Sequence, residues 1–149
     1  MGLINFLLKI IYILLQCTWG IFQSSLGLMV FLYSLKASHE IYHGAIYTKW
    51  NLKGGISLGL FIFTPDKEEI WCQQMAVHEY GHTWQSLMLG PSYLFVVGIP
   101  SIIWSKLPQC IQMRKDRNLP YSAFYTEKWA DGLGERMVTL VERIENGFL

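Results

Sequence analysis

Two histidines four positions apart, with a glutamate directly after the first, make a small kit for metal-assisted hydrolysis. This chain carries the kit twice, as His78-Glu79-Tyr80-Gly81-His82 and as His39-Glu40-Ile41-Tyr42-His43. On a helix, positions i and i+4 lie one above the other, so both imidazoles can reach one metal ion. The glutamate between them stands where it can take a proton from a metal-bound water. A hydrolytic zinc site needs three protein ligands and leaves one position for water. The four histidines of the chain are all used by the two motifs. After His82 the third ligand is therefore a carboxylate, or Cys110 as an outlier. Cys72 is a poor ligand, because about 240° of helical rotation separates it from His78.

The best carboxylate is Glu127, in Tyr125-Thr126-Glu127-Lys128-Trp129-Ala130-Asp131. Asp131 follows one helical turn later on the same face. A ligating histidine commonly passes its other N–H to a carboxylate, and Asp131 is placed for that. Ala130 is small enough to let this helix approach the motif helix. The copy at residues 39–43 has no matching acid pair and closes an apolar segment just before Gly44. It reads as polar residues at a membrane interface.

A second use of these residues starts from two Glu-x-x-His pairs, Glu40/His43 and Glu79/His82. With Glu127 and Glu142 they would form the ligand set of a di-iron four-helix carboxylate protein, making the chain a membrane oxidase. That arrangement leaves His39 and His78 without a role. A third class is a non-catalytic membrane protein with a structural zinc site.

The elements that must position the motif follow from patterning. The chain has 149 residues, one domain by size. It carries 12 basic and 11 acidic residues, a balance that gives no sign of a nucleic-acid partner. Charged residues make up only 15%, against about 25% in soluble domains. Before Lys36 the sole charged side chain is Lys9. The apolar tract from Leu3 to Leu35 is too long for one upright bilayer crossing of about 20 residues. Gln16, Gly20, Gln23, Ser24 and Ser25 mark a break within it. The expectation is a first span at about 3–20 and a shorter apolar helix at about 24–37, with no cleaved signal peptide. The three cysteines, Cys17, Cys72 and Cys110, have no motif spacing and read as buried small hydrophobes.

Residues 38–53 read as an interfacial loop, and 54–63 as a glycine-led strand beside the cleft. Thr64 as N-cap and Pro65 at the first helical position predict a helix over 65–89, stopped by Gly90-Pro91. Residues 92–107, with Pro100 in the middle, suggest a re-entrant or membrane helix. Arg114, Lys115 and Arg117 follow in a basic loop. A last helix is expected over 121–145, loosened by Gly132 and Gly134. Trp71, Trp84, Trp104 and Trp129 are candidates for the membrane boundary.

Taken together, His78-Glu79-x-x-His82 and Glu127-x-x-Ala130-Asp131 resemble the gluzincin metallopeptidases. In particular they resemble the membrane-embedded branch that includes the CAAX prenyl endopeptidases and related bacterial membrane proteases. The resemblance covers two helices, about 65–89 and 121–140. It implies a zinc ion held by His78, His82 and Glu127, with Glu79 as general base and Asp131 supporting a zinc histidine. It also implies a peptide or protein substrate, a lipid bilayer as partner and a place in the bacterial inner membrane. Tyr121, Tyr125 and Arg136 are candidates for stabilising the transition state. The expected fold is mainly α: a membrane-associated zincin-like core in a single domain over 1–149, with an active-site helix, a C-terminal helix carrying the third ligand, and a short strand or hairpin.

Overall fold

The stretch expected to be loop, residues 38–53, instead forms strands, and these complete a sheet under the motif helix. The computed structural model describes residues 2–147. Strands β1 (Ser38–Tyr42) and β2 (Ala45–Trp50) form an antiparallel hairpin. His43 and Gly44 make its turn with φ of 49° and 98°. Two successive positive φ values match the twist of the flanking strands, and glycine meets that demand without strain. Strands β3 (Ile56–Leu58) and β4 (Phe61–Pro65) form a second hairpin, so the expected strand at 54–63 is two strands turning at Gly59-Leu60. β2 and β4 pair in parallel, giving the order β1-β2-β4-β3. β1 is an edge strand with an exposed face, and its polar residues hid its period.

The motif helix α3 runs Glu69–Leu89, starting later than Thr64-Pro65 predicts. Both residues belong to β4: Pro65 lies opposite Trp50, and Thr64 Oγ1 is 2.7 Å from the Tyr47 hydroxyl. With its hydroxyl bound in the sheet, Thr64 cannot cap a helix, and Glu68 takes the N-cap position without a side-chain cap. After Leu89 the chain makes a short 3₁₀ turn (Gly90–Ser92) and a π-helical turn (Leu94–Gly98) before α4 (Ile99–Lys106). Helix α5 (Pro108–Asp116) and a 3₁₀ turn (Tyr121–Ala123) lead to α6 (Tyr125–Asn146).

α3 is the centre of the molecule. One side lies on the sheet, where Ile62 and Phe63 of β4 are fully buried and Tyr80 and Ala76 join their cluster. Its other side packs closely on α6. A Cβ on Gly81 would overlap the Ala130 carbonyl, and one on Gly134 would overlap the Val77 carbonyl. Gly134 therefore does not loosen α6, which is one uninterrupted helix. It lets the two backbones approach, as Ala130 was expected to do. Gly134→Ala should be destabilising by about 1–3 kcal/mol through overpacking, despite the better helix propensity of alanine, about 1 kcal/mol. Thermal unfolding checks this. A variant that melts above the wild type would disprove the close contact.

The N-terminal apolar tract forms two helices, α1 (Gly2–Thr18) and α2 (Ile21–Tyr33), bent by 94° at Trp19-Gly20. The polar residues that mark the break also fasten the pair to α3. Gln16 Nε2 donates to the Thr83 carbonyl at 2.9 Å, and Gln23 Nε2 donates to Ser86 Oγ at 2.8 Å and to the Gly90 carbonyl at 3.0 Å. Among the described residues no single helix is long and apolar enough to cross a membrane. Two bent pairs, α1 with α2 and α3 with α4, reach the required length and hydropathy only together. The first span expected at about 3–20 is thus half of a sharply bent pair.

Candidate metal centre

The helix periodicity that put His78 and His82 on one face of α3 turns that face toward the first turn of α6, where Glu127 sits. Candidate ligand atoms of His78, His82 and Glu127 all lie within 4.8 Å of one another. Glu127 Oε2 is 3.2 Å from His78 Nε2 and 3.5 Å from His82 Nε2. Glu127 is completely buried, yet Oε2 makes no hydrogen bond. A buried carboxylate oxygen without a partner is costly unless a cation is meant to face it. Its other oxygen is fully engaged: Ser101 Oγ on α4 donates to Oε1 at 2.5 Å and Thr126 Oγ1 donates to it at 3.0 Å.

Each imidazole is held from behind through Nδ1. His78 Nδ1 lies 2.6 Å from Asp131 Oδ1, and His82 Nδ1 lies 2.7 Å from Gln85 Oε1. Because both outer nitrogens are occupied, both Nε2 atoms face Glu127 Oε2. Two imidazole nitrogens and one carboxylate oxygen, braced from outside, form a donor set that can bind a metal ion.

The charges around the site balance in a specific way. Burial alone would raise the pKa of Glu127, but the adjacent imidazoles of His78 and His82 hold its carboxyl well below the usual carboxylate range. Burial alone would lower that of His78, but the carboxylates of Glu127, Glu79 and Asp131 push it up to about 9. Glu79 is raised by burial, against the pull of the two histidines. Its carboxylate packs under the backbone of Gly55, where a Cβ would overlap Oε1.

Glu79, the three ligand candidates and Asp131 all line one cavity of about 910 Å³. Edge strand β3 forms one wall through Ile56, Ser57 and Leu58, so the strand expected beside the cleft is there. Tyr93, Ile99 and Ile102 also line it, and the Tyr93 hydroxyl donates to the Ser57 carbonyl of β3 at 3.5 Å. Of the three residues expected to stabilise a transition state, Tyr121 reaches the cavity. Burial and the nearby Glu127 push its phenol up to about 12, so it remains a donor at neutral pH. The Tyr125 hydroxyl is bound to the Val96 carbonyl at 2.6 Å. Arg136 is exposed, and neither it nor Tyr125 lines the cavity.

The di-iron ligand set is not assembled. Glu40 lies on β1 beside Lys49 at 3.8 Å, not on a helix. His43 occupies the hairpin turn, with its ring against Tyr42 and Tyr80. Neither they nor Glu142 joins the cluster, and Cys110 stands apart on α5. Sequence reasoning missed Gln85, Ser101 and Thr126. The spacing of Gln85 from His82 places both on one helix face, which was a usable signal. Nothing in the sequence connects Ser101 to Glu127. A scan against protein-family models and searches of curated proteins and solved structures found no match.

Proposed function

We propose that this chain is a zinc-dependent peptidase of the gluzincin type that works at a membrane. The observation that carries the reading is the convergence of His78 Nε2, His82 Nε2 and the unpartnered Glu127 Oε2 in a cavity that also holds the buried Glu79. When bound there, zinc would polarise a water and a substrate carbonyl. Glu79 takes the proton of the attacking water and delivers it to the leaving amine, a role suited to a carboxyl whose pKa is raised by burial. The Tyr121 phenol is the donor available to the developing oxyanion. An extended peptide adds along edge strand β3 by backbone hydrogen bonding, displacing the long 3.5 Å bond from the Tyr93 hydroxyl to the Ser57 carbonyl, with apolar side chains seated against Ile56, Leu58, Ile99 and Ile102.

The membrane part of the reading rests on where apolar side chains are exposed. Phe6, Phe22, Met29 and Leu32 on α1 and α2 face outward, as do Val96 and Ile103 near and on α4. Apolar exposure on this scale marks a partner surface. Lys106, Arg114, Lys115 and Arg117 follow directly, where an anionic headgroup layer would meet them. The bacterial inner membrane is the proposed location.

Purified protein should contain one zinc per chain and cleave apolar-flanked peptides from a fluorogenic library. Chelator should stop cleavage and added zinc restore it. The protein should also float with anionic lipid vesicles in a density gradient. Absence of bound metal sinks the zinc reading. Full zinc occupancy with no cleavage points to a structural zinc site. Two irons per chain would revive the oxidase. Failure to float removes the membrane.

A further inference from the structure

The two histidines present the same nitrogen to the centre but are braced by different chemistry. Behind His78 stands a carboxylate, Asp131, with 42% of its side chain exposed. Behind His82 stands a neutral amide, Gln85, which is completely buried. An amide has one donating and one accepting end, so its orientation carries information. Gln85 Nε2 is 2.8 Å from the backbone carbonyl of Thr126, an atom that only accepts. The end facing Thr126 must therefore be the NH₂. The end facing His82 is then Oε1, which also only accepts, and the hydrogen of that 2.7 Å contact must come from His82 Nδ1. With its hydrogen on Nδ1, neutral His82 keeps the Nε2 lone pair free. The inverted amide would set two acceptors against each other at Thr126.

The same side chain ties α3 to the first turn of α6. Thr126 directly precedes Glu127, and the Thr126 hydroxyl donates to Glu127 Oε1. We propose that Gln85 is a positioning residue that sets the tautomer of the second metal ligand and the place of the third, by reading one backbone carbonyl. This rests on His78, His82 and Glu127 being a zinc site. A glutamate could accept the His82 hydrogen but could not donate to Thr126, so the position calls for an amide rather than an acid.

The first test uses the wild type. In metal-free protein with ¹⁵N-labelled histidine, long-range ¹H–¹⁵N spectra should show hydrogen on Nδ1 of His82. A bare Nδ1 with hydrogen on Nε2 overturns the proposal. The second test measures zinc affinity by competition with a chromophoric chelator. Gln85→Leu should bind zinc about 10- to 100-fold more weakly, and its His82 should lose the preference for hydrogen on Nδ1. Gln85→Glu should keep that hydrogen and bind zinc with intermediate affinity. A merely structural role would lower the melting temperature and leave the tautomer unchanged. If Gln85→Leu does not fold, the wild-type spectrum and Gln85→Glu decide. Wild type that binds no zinc defeats the site itself, whereas wild type and Gln85→Leu binding zinc equally defeats only the role of Gln85.

Discussion

Glu79→Gln should retain zinc and cleave peptides about 10²–10⁴-fold more slowly than wild type. Glutamine has nearly the same shape and fits under Gly55, so packing is preserved while the proton acceptor is lost. Neither His78 nor His82 uses Glu79 as its outer hydrogen-bond partner; these are Asp131 and Gln85. The metal centre should therefore survive the substitution. Zinc content by plasma emission and turnover on the same preparation separate the two effects. A variant that cleaves as fast as the wild type would remove Glu79 from the chemistry. A variant that loses its zinc would show Glu79 to be part of the metal's own support.

Glu127→Ala should weaken zinc binding by more than the 10- to 100-fold typical of losing an outer partner, because it deletes a donor atom itself. It should also change the pH dependence. In the wild type, the carboxylates around His78 push its pKa up to about 9, so below that pH a proton competes with the metal. Zinc affinity should therefore rise with pH by about tenfold per unit until His78 has lost its proton. Removing Glu127 removes the first of the groups that raise His78, so the rise should level off at lower pH. Chelator competition across a pH series measures both. Equal affinity in the two proteins would exclude Glu127 as a ligand. An unchanged pH profile would mean that His78 does not respond to Glu127.

The close α3–α6 crossing explains how the chemistry became legible. Helical spacing alone places His78 above His82 and Asp131 beyond Glu127, because one turn of backbone is rigid enough to carry a side chain to a known face. The small residue Ala130 also signalled that the two helices would approach, and the crossing then brings the four side chains together. The copy at residues 39–43 had the same letters and a different fate. Its backbone pairs with β2, so His39 and His43 do not share a helical face, and His39 Nδ1 lies against Thr48 Oγ1 instead. Local propensity could not decide this, since strand formation there depends on partners contributed by residues 45–50 and, through the parallel pairing, by β4.

The sequence by itself determined the donor types, their spacing within each helix, and the unusual concentration of apolar residues before Lys36. Those depend only on composition and on the geometry of a single helix. Tertiary structure decided everything that needs two elements at once. It placed Thr64 in a sheet rather than at a cap, used Gly134 for contact rather than flexibility, and bent the N-terminal tract by 94° onto α3 through buried glutamines. It also brought Ser101 to Glu127 and the Thr126 carbonyl to Gln85. Hydrogen bonds between distant segments depend on how whole elements pack, and no local pattern encodes them.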